Sequence, residues 1–235
     1  MYLRPASFFS ALLLLVALLA PNLTFAEEDG KVKVGIVFEN DGFRNLDLQY
    51  SLYGNHGGVV LGYEKSYNDF WWAVDGKYKY GRVYYMNYGI DLASVHGQGV
   101  VGKSYNMSGI SLKPYMGLGL NWEAQDGRGT SNIYTTEYLL VFGTRAERKV
   151  DAGIVGLDLQ YDYVLSRDIY DTANDNSWGR RHFDGSYGIE AGVYYEPANI
   201  PVGFRPYFKY EKWQTTKYWY SSERQRIGIE TYVKF

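Results

Sequence analysis

An imidazole base has three possible sources in this chain, His56, His96 and His182, and a thiolate has none. The absence of cysteine excludes a disulfide scaffold, thiolate zinc sites, CxxC redox chemistry and a cysteine nucleophile. No metal or other cofactor is implied by any spacing in the sequence. His182 and Asp184 stand two residues apart, so on an extended segment they share a face and can hydrogen-bond. Catalysis also needs a nucleophile or activated water in matching geometry, and no third partner is identifiable. The simpler reading makes His182 an ordinary loop residue beside Arg180 and Arg181. Arg180-Arg181-His182 could instead hold phosphate, because guanidinium forks match phosphate oxygens. Three residues form no extended patch, however, which favours solvated loop charge. With 24 basic against 26 acidic side chains, the chain has no bias toward nucleic acid.

The elements that must position these residues are extended. Ile110, Leu112, Pro114, Met116, Leu118, Leu120 and Trp122 alternate with Ser111, Lys113, Tyr115, Gly117, Gly119 and Asn121. Val155, Leu157, Leu159, Tyr161, Tyr163 and Leu165 alternate with Gly156, Asp158, Gln160, Asp162 and Val164, and 187–195 repeats the pattern. A strand sends successive side chains to opposite faces, whereas a helix would scatter Asp158 and Asp162 among the leucines. Turn signals divide the chain into ten strands near 31–40, 46–66, 69–86, 88–105, 110–125, 133–148, 152–168, 184–197, 201–218 and 222–235. The second is long enough for a bend or bulge at Gly54-Asn55-His56-Gly57-Gly58, or for a separate hairpin.

Residues 1–26 read differently. Arg4 precedes a thirteen-residue, mostly apolar run from Phe8 to Ala20, and Thr24-Phe25-Ala26 ends in a small residue. This order describes a secretory signal peptide cleaved near Ala26, and the run is too short for a spanning helix of about 20 residues. Residues 27–235 then form one exported domain.

Two architectures absorb this many alternating strands. A soluble sandwich hides its apolar face inside, whereas a membrane barrel turns it toward lipid and keeps a polar lumen. Strand length favours the barrel, since many segments meet the 9–11 residues of an oblique crossing. Glycine and charge share the polar face, as in Gly188, Glu190 and Gly192. Aromatics crowd the strand ends at Phe70-Trp71-Trp72, Tyr84-Tyr85, Tyr194-Tyr195 and from Trp213 to Tyr220, as interface girdles do. The expected fold is all-β, a transmembrane antiparallel up-and-down β-barrel of about ten strands, with eight or twelve as alternatives. With both termini in the periplasm, the connections 168–184 and 126–132 face outside, while those at 66–69 and 148–152 are short inner turns.

The alternation then points Asp75, Asp91, Glu123, Glu137, Asp158, Asp162, Glu190 and Glu230 into the lumen. Lys77, Lys113, Arg145, Arg205, Lys209 and Arg226 face them. Opposite charges can pair across a narrow interior and hold the barrel together, or line a small selective pore. Eight strands leave an interior just filled by side chains, so ten lie near the closed end and a plugged lumen is expected.

The last strand carries a resemblance. Ile227, Ile229, Thr231, Val233 and terminal Phe235 line one face, against Gly228, Glu230, Tyr232 and Lys234 on the other. This resembles the C-terminal signal of Gram-negative outer-membrane β-barrel proteins, which commonly end in phenylalanine, although Val233 stands where that family often has tyrosine. The wider pattern, including Leu112 to Gly119, is similar to small porin-like members of the class. The resemblance implies recognition of Ile227, Ile229, Val233 and Phe235 by the barrel-assembly machinery. It also implies a monomer in outer-membrane lipid and lipopolysaccharide, whose phosphates Arg180, Arg181 and His182 could meet. It brings no catalytic residues. Omptin-type proteases place an Asp/His site at the rim of a ten-stranded barrel, but here the His-x-Asp order is reversed. Lipid A deacylases use adjacent His-Ser, which does not occur in this sequence. The expected role is therefore structural or interactive, without enzyme activity; a narrow solute channel and a rim hydrolase are the alternatives.

Overall fold

The computed structural model describes residues 30–46, 49–86, 88–126, 132–172, 176–181, 185–213 and 221–235. The expected signal peptide, His182 and Asp184 lie outside them. The strands are β1 (Gly30–Asn45), β2 (Tyr50–Tyr67), β3 (Phe70–Tyr85), β4 (Tyr88–Lys103), β5 (Tyr105–Met107) and β6 (Ile110–Asp126). They continue with β7 (Asn132–Val150), β8 (Gly153–Asp171), β9 (Asn176–Arg181), β10 (Tyr187–Pro197), β11 (Val202–Trp213) and β12 (Ser222–Lys234). β4 and β5 both pair with β6, and β9 and β10 both pair with β8, so twelve strands make ten staves. Every pairing with a described register is antiparallel. β1 meets β12 from Lys33↔Lys234 to Asn45↔Ser222 and closes the barrel. The start of β1 and the end of β12 lie at one end, here called the terminal mouth; the opposite end is the distal mouth.

Alternation sets which side chains face outward. On β8, Leu157 and Leu159 are 41% and 43% exposed, while Asp158 and Gln160 between them are each 6% exposed. Phe38, Val74, Leu118 and Ile227 extend the apolar outer surface around the wall. A water-soluble fold would bury these side chains, and this one buries charge instead. Such an inside-out distribution defines a transmembrane barrel, in which lipid solvates the outer face.

Several expectations need correction. β2 runs straight through Gly54–Gly58 in unbroken register with β3, from Tyr53↔Tyr84 to Tyr67↔Phe70. The irregularity falls instead where Tyr138 faces Ser166 and Leu139 faces Val164, which leaves Leu165 as an extra residue. A bulge of one residue reverses the alternation beyond it. That reversal brings Arg167 inward, to 3.4 Å from Glu137. The connection expected at 168–184 is largely strand, because β8 extends to Asp171 and β9 returns beside it. The aromatic doublets are split by the pleat. Phe70 and Trp72 face out, but Trp71, Tyr194 and Trp213 are buried in the lumen.

Inward glycines receive some of these rings. A Cβ on Gly156 would lie 2.1 Å from Tyr194 Cζ, and one on Gly143 would lie 2.2 Å from Tyr115 Cζ. Each tyrosine therefore lies flat over a neighbouring stave where only glycine leaves room, the aromatic rescue of strand glycines.

Candidate functional site: the lumen

The lumen is a set of ionic layers against an apolar wall. In the middle layer Arg205, on β11, donates to Glu190 at 2.6 Å, Asp158 at 3.3 Å and Glu230 at 3.4 Å. Lys77 reaches in from β3 to lie 2.6 Å from Glu230 and 4.0 Å from Glu190. β3 and β10 are five staves apart in a ring of ten, so the Lys77–Glu190 contact spans the full bore.

The distal layer repeats the device. Arg224 grips Asp41 with Nε at 2.8 Å and with a second, shorter contact from Nη2, while its Nη1 bonds Glu123. β12 and β6 are again opposite staves. Around them Lys79 bonds Glu39 at 2.8 Å, Arg226 forms an ion pair with Glu211 at 2.8 Å, and Lys209 bonds Asp162 at 2.9 Å. Toward the terminal mouth Lys113 meets Glu147 at 2.7 Å, Arg145 meets Glu64 at 2.8 Å, and Lys234 meets Glu196. Buried charges are tolerated only when paired and hydrogen-bonded, and these layers satisfy one another across the barrel.

The remaining interior is apolar, contrary to a uniformly polar lumen. Trp71, Ala73, Val100, Tyr115, Leu139, Val141 and Val164 form one cluster along β3 to β8. Near the distal mouth Leu52, Val83 and Leu92 pack with Phe43 and Ile90. Phe43 also meets the Trp213 ring at 6.0 Å, and Trp213 Nε1 donates to Glu137 at 2.9 Å.

Of the charges expected inside, Asp75, Glu123, Glu137, Asp158, Asp162, Glu190 and Glu230 face the lumen, as do Lys77, Lys113, Arg145, Arg205, Lys209 and Arg226. Asp91 is the correction. It lies between inward Ile90 and Leu92, so its own side chain points out, 2.5 Å from outward Arg82. The distal apolar cap inverts the rule that apolar residues face lipid, and Asp91 is displaced to the outer rim by parity. Arg180 and Arg181 fall on β9, with Arg181 opposite Arg167; their side chains and His182 lie outside what is described. Ile227, Ile229 and Phe235 are exposed on the outer face of β12.

Glu39, Asp41, His56, Lys79, Glu211 and Arg224 are lumen residues that the alternation argument omitted. Barrel closure could have found part of this group. Glu39 and Asp41 lie two apart on the first strand, facing Arg224 and Arg226 two apart on the last. Glu39, Asp41 and His56 also lie close enough to hold a cation. Lys79, Arg224 and Arg226 already occupy those carboxylates, so the group belongs to the ionic lattice.

The geometry defines a class: a ten-stave, inside-out barrel of the outer-membrane type. Comparison with solved structures finds one that shares this fold at a TM-score above 0.5. The outer membrane protease OmpT from Escherichia coli aligns over 89% of this chain and 97% of its own, with a TM-score of 0.58 and 6% identity. The translocator domain of the autotransporter NalP from Neisseria meningitidis aligns over 96% of both chains at 10% identity and a TM-score of 0.47. Neisserial surface protein A is 16% identical over 88% of this chain and 100% of its own, with a TM-score of 0.41. At such identities the likeness concerns the fold alone. No protein-family model and no curated protein matches the sequence.

Proposed function

We propose that this chain is an integral outer-membrane protein whose barrel is closed by its own side chains, with a structural or surface-interaction role rather than a catalytic one. The supporting observation is the pair of contacts across the bore, Lys77 to Glu190 at 4.0 Å and Arg224 to Glu123 at 2.5 Å. Opposite walls that touch at two levels narrow the bore and support the closed reading. Cavities of about 90 Å³ and 40 Å³ flank these contacts, room for a few waters each. The exposed Ile227, Ile229 and Phe235 suit recognition by the barrel-assembly machinery, and the outer apolar band suits outer-membrane lipid beneath lipopolysaccharide. In this reading the terminal mouth faces the periplasm, the distal mouth faces the cell exterior, and the chain works as a monomer.

Planar-bilayer recording of the folded chain tests the proposal. No discrete current steps are expected; steps that recur with reconstituted protein and disappear without it would replace the closed barrel by a pore.

A further inference from the structure

The outer wall at the terminal mouth carries its charge on one side. The outward side chains at the terminal ends of β1, β8, β10, β11 and β12, from Val34 and Val155 to Phe204 and Phe235, are all uncharged. On β2 to β4 the same level carries two lysines. Lys65 lies opposite exposed Trp72, and Lys103 lies opposite exposed Phe70, so both point outward. Among the described residues, Arg148 on β7 is the other outward cation of this level, opposite exposed Val155.

The two lysines are held in place without being neutralised. The Lys103 ammonium lies over two rings, 5.6 Å from the Phe70 centroid and 5.5 Å from that of Tyr105. Ring faces attract a cation and leave its charge intact. Ser104 N donates to Asp69 O at 2.7 Å, which fixes where β5 starts and so where Tyr105 stands. Lys65 is beside Trp72, whose ring meets Tyr63 at 5.2 Å. Among the described residues neither lysine has a carboxylate partner: Glu64 turns inward to Arg145, and Asp69 enters no ion pair. The outward Arg82 of the distal rim, by contrast, has Asp91 at 2.5 Å. Lys103 is two staves from Lys65 and two residues nearer the mouth, so their backbones stand about 12 Å apart. Two flexible four-carbon stems can bring both ammoniums to one head group. An unneutralised pair with aromatic rings between them, at the edge of an apolar band, matches an anionic phosphodiester whose acyl chains enter that band.

We propose that Lys65 and Lys103 form a site for an anionic phospholipid on the outer wall of β2 to β4. The phosphodiester lies between the two ammoniums, and the acyl chains lie against outward Trp72, Val74 and Val101. A head group with its own ammonium would bring a third cation to the pair, so the site discriminates against zwitterionic lipid. The site rests on the membrane insertion proposed above and is independent of whether the lumen is closed.

Native mass spectrometry of the chain released from detergent micelles tests this, with phosphatidylglycerol and phosphatidylethanolamine of identical acyl chains titrated separately. Phosphatidylglycerol is expected to bind about 25-fold more tightly, from a contribution of about fivefold per lysine. Lys65→Gln and Lys103→Gln should each weaken phosphatidylglycerol about fivefold and leave phosphatidylethanolamine unchanged. Arg148→Gln, two staves beyond β4, should leave both lipids unchanged. Glycerol phosphate, which has the head-group charge without acyl chains, should not displace bound phosphatidylglycerol at equal concentration. Equal binding of the two lipids, a lysine variant with unaltered phosphatidylglycerol affinity, an Arg148→Gln variant as weak as either lysine variant, or displacement by glycerol phosphate would each overturn the inference. The comparison of the two lipids needs only the native chain, so it stands even if a variant does not fold. A bilayer current with phosphatidylglycerol selectivity intact would overturn closure alone, and a silent barrel without that selectivity would overturn this inference alone.

Discussion

Arg205 neutralises three carboxylates carried by three different staves, Asp158, Glu190 and Glu230. Its removal leaves Glu190 with only Lys77 at 4.0 Å and Asp158 with Arg145 at 3.7 Å, while Glu230 keeps Lys77 and Lys33. Breaking a buried ion pair by deleting one partner costs far more than the pair contributes, since the orphaned charge stays desolvated. Arg205→Ala should therefore lower unfolding stability in lipid vesicles by about 3–5 kcal/mol, read from the urea midpoint at constant slope. Arg205→Lys should recover only part of this, because one ammonium cannot reproduce the guanidinium's divergent donors. The outward pair of Arg82 and Asp91 supplies the contrast. Exposed pairs at a rim are screened and contribute little, so Asp91→Asn should leave the midpoint unchanged within error. A large loss there would mean that Asp91 faces inward after all.

At the scale of the strand, glycine and tyrosine act as a unit. The Tyr194 ring covers Gly156, and its hydroxyl donates to Glu147 at 2.6 Å. Gly156→Ala inserts a methyl where the ring lies, which should displace the ring, break that hydrogen bond and cost about 1–3 kcal/mol. In a Tyr194→Ala background the same substitution meets empty space and should cost much less, a coupling that a double-mutant cycle on urea midpoints measures. Additive losses would show that ring and glycine do not depend on one another. Strand order and stave count were legible because Ile110–Trp122 and Val155–Leu165 alternate over long stretches. The inner wall was not. Tyr138-Leu139-Leu140-Val141-Phe142 is apolar at every position, so period two vanishes although Leu139 and Val141 face in and Tyr138 and Phe142 face out. Asp91 was misplaced for a related reason: the distal cap puts apolar Ile90 and Leu92 on the inner face, and hydropathy then assigns the wrong side. The distal ionic layer needed knowledge of which strands close the ring.

For the whole barrel, closure is arranged in series. The middle layer around Arg205 and the distal cap around Phe43 and Trp213 lie on separate levels of one tube and share no side chain. Current through constrictions in series is limited by the tightest, so opening one of them leaves the tube silent. Phe43→Ala with Trp213→Ala removes the ring contact and the donor to Glu137, yet Arg205 still holds its three carboxylates below. Arg205→Ala alone loosens the middle while the cap and the Arg224 to Glu123 contact remain above. Neither variant should conduct in a planar bilayer. Combining Phe43→Ala, Trp213→Ala, Lys77→Ala, Arg205→Ala and Arg224→Ala removes closure at both levels, the Lys77 contact across the bore included, and should produce discrete steps. The three inner carboxylates left without Arg205 would line that path, so the steps should favour cations, visible as a shift in reversal potential under a salt gradient. Steps from the cap variant alone would mean that the middle layer admits ions even with Arg205 in place. A silent combined variant that still shows the heat-modifiable migration of a folded barrel would mean that the apolar wall from Trp71 to Val164, and not the ion pairs, fills the bore.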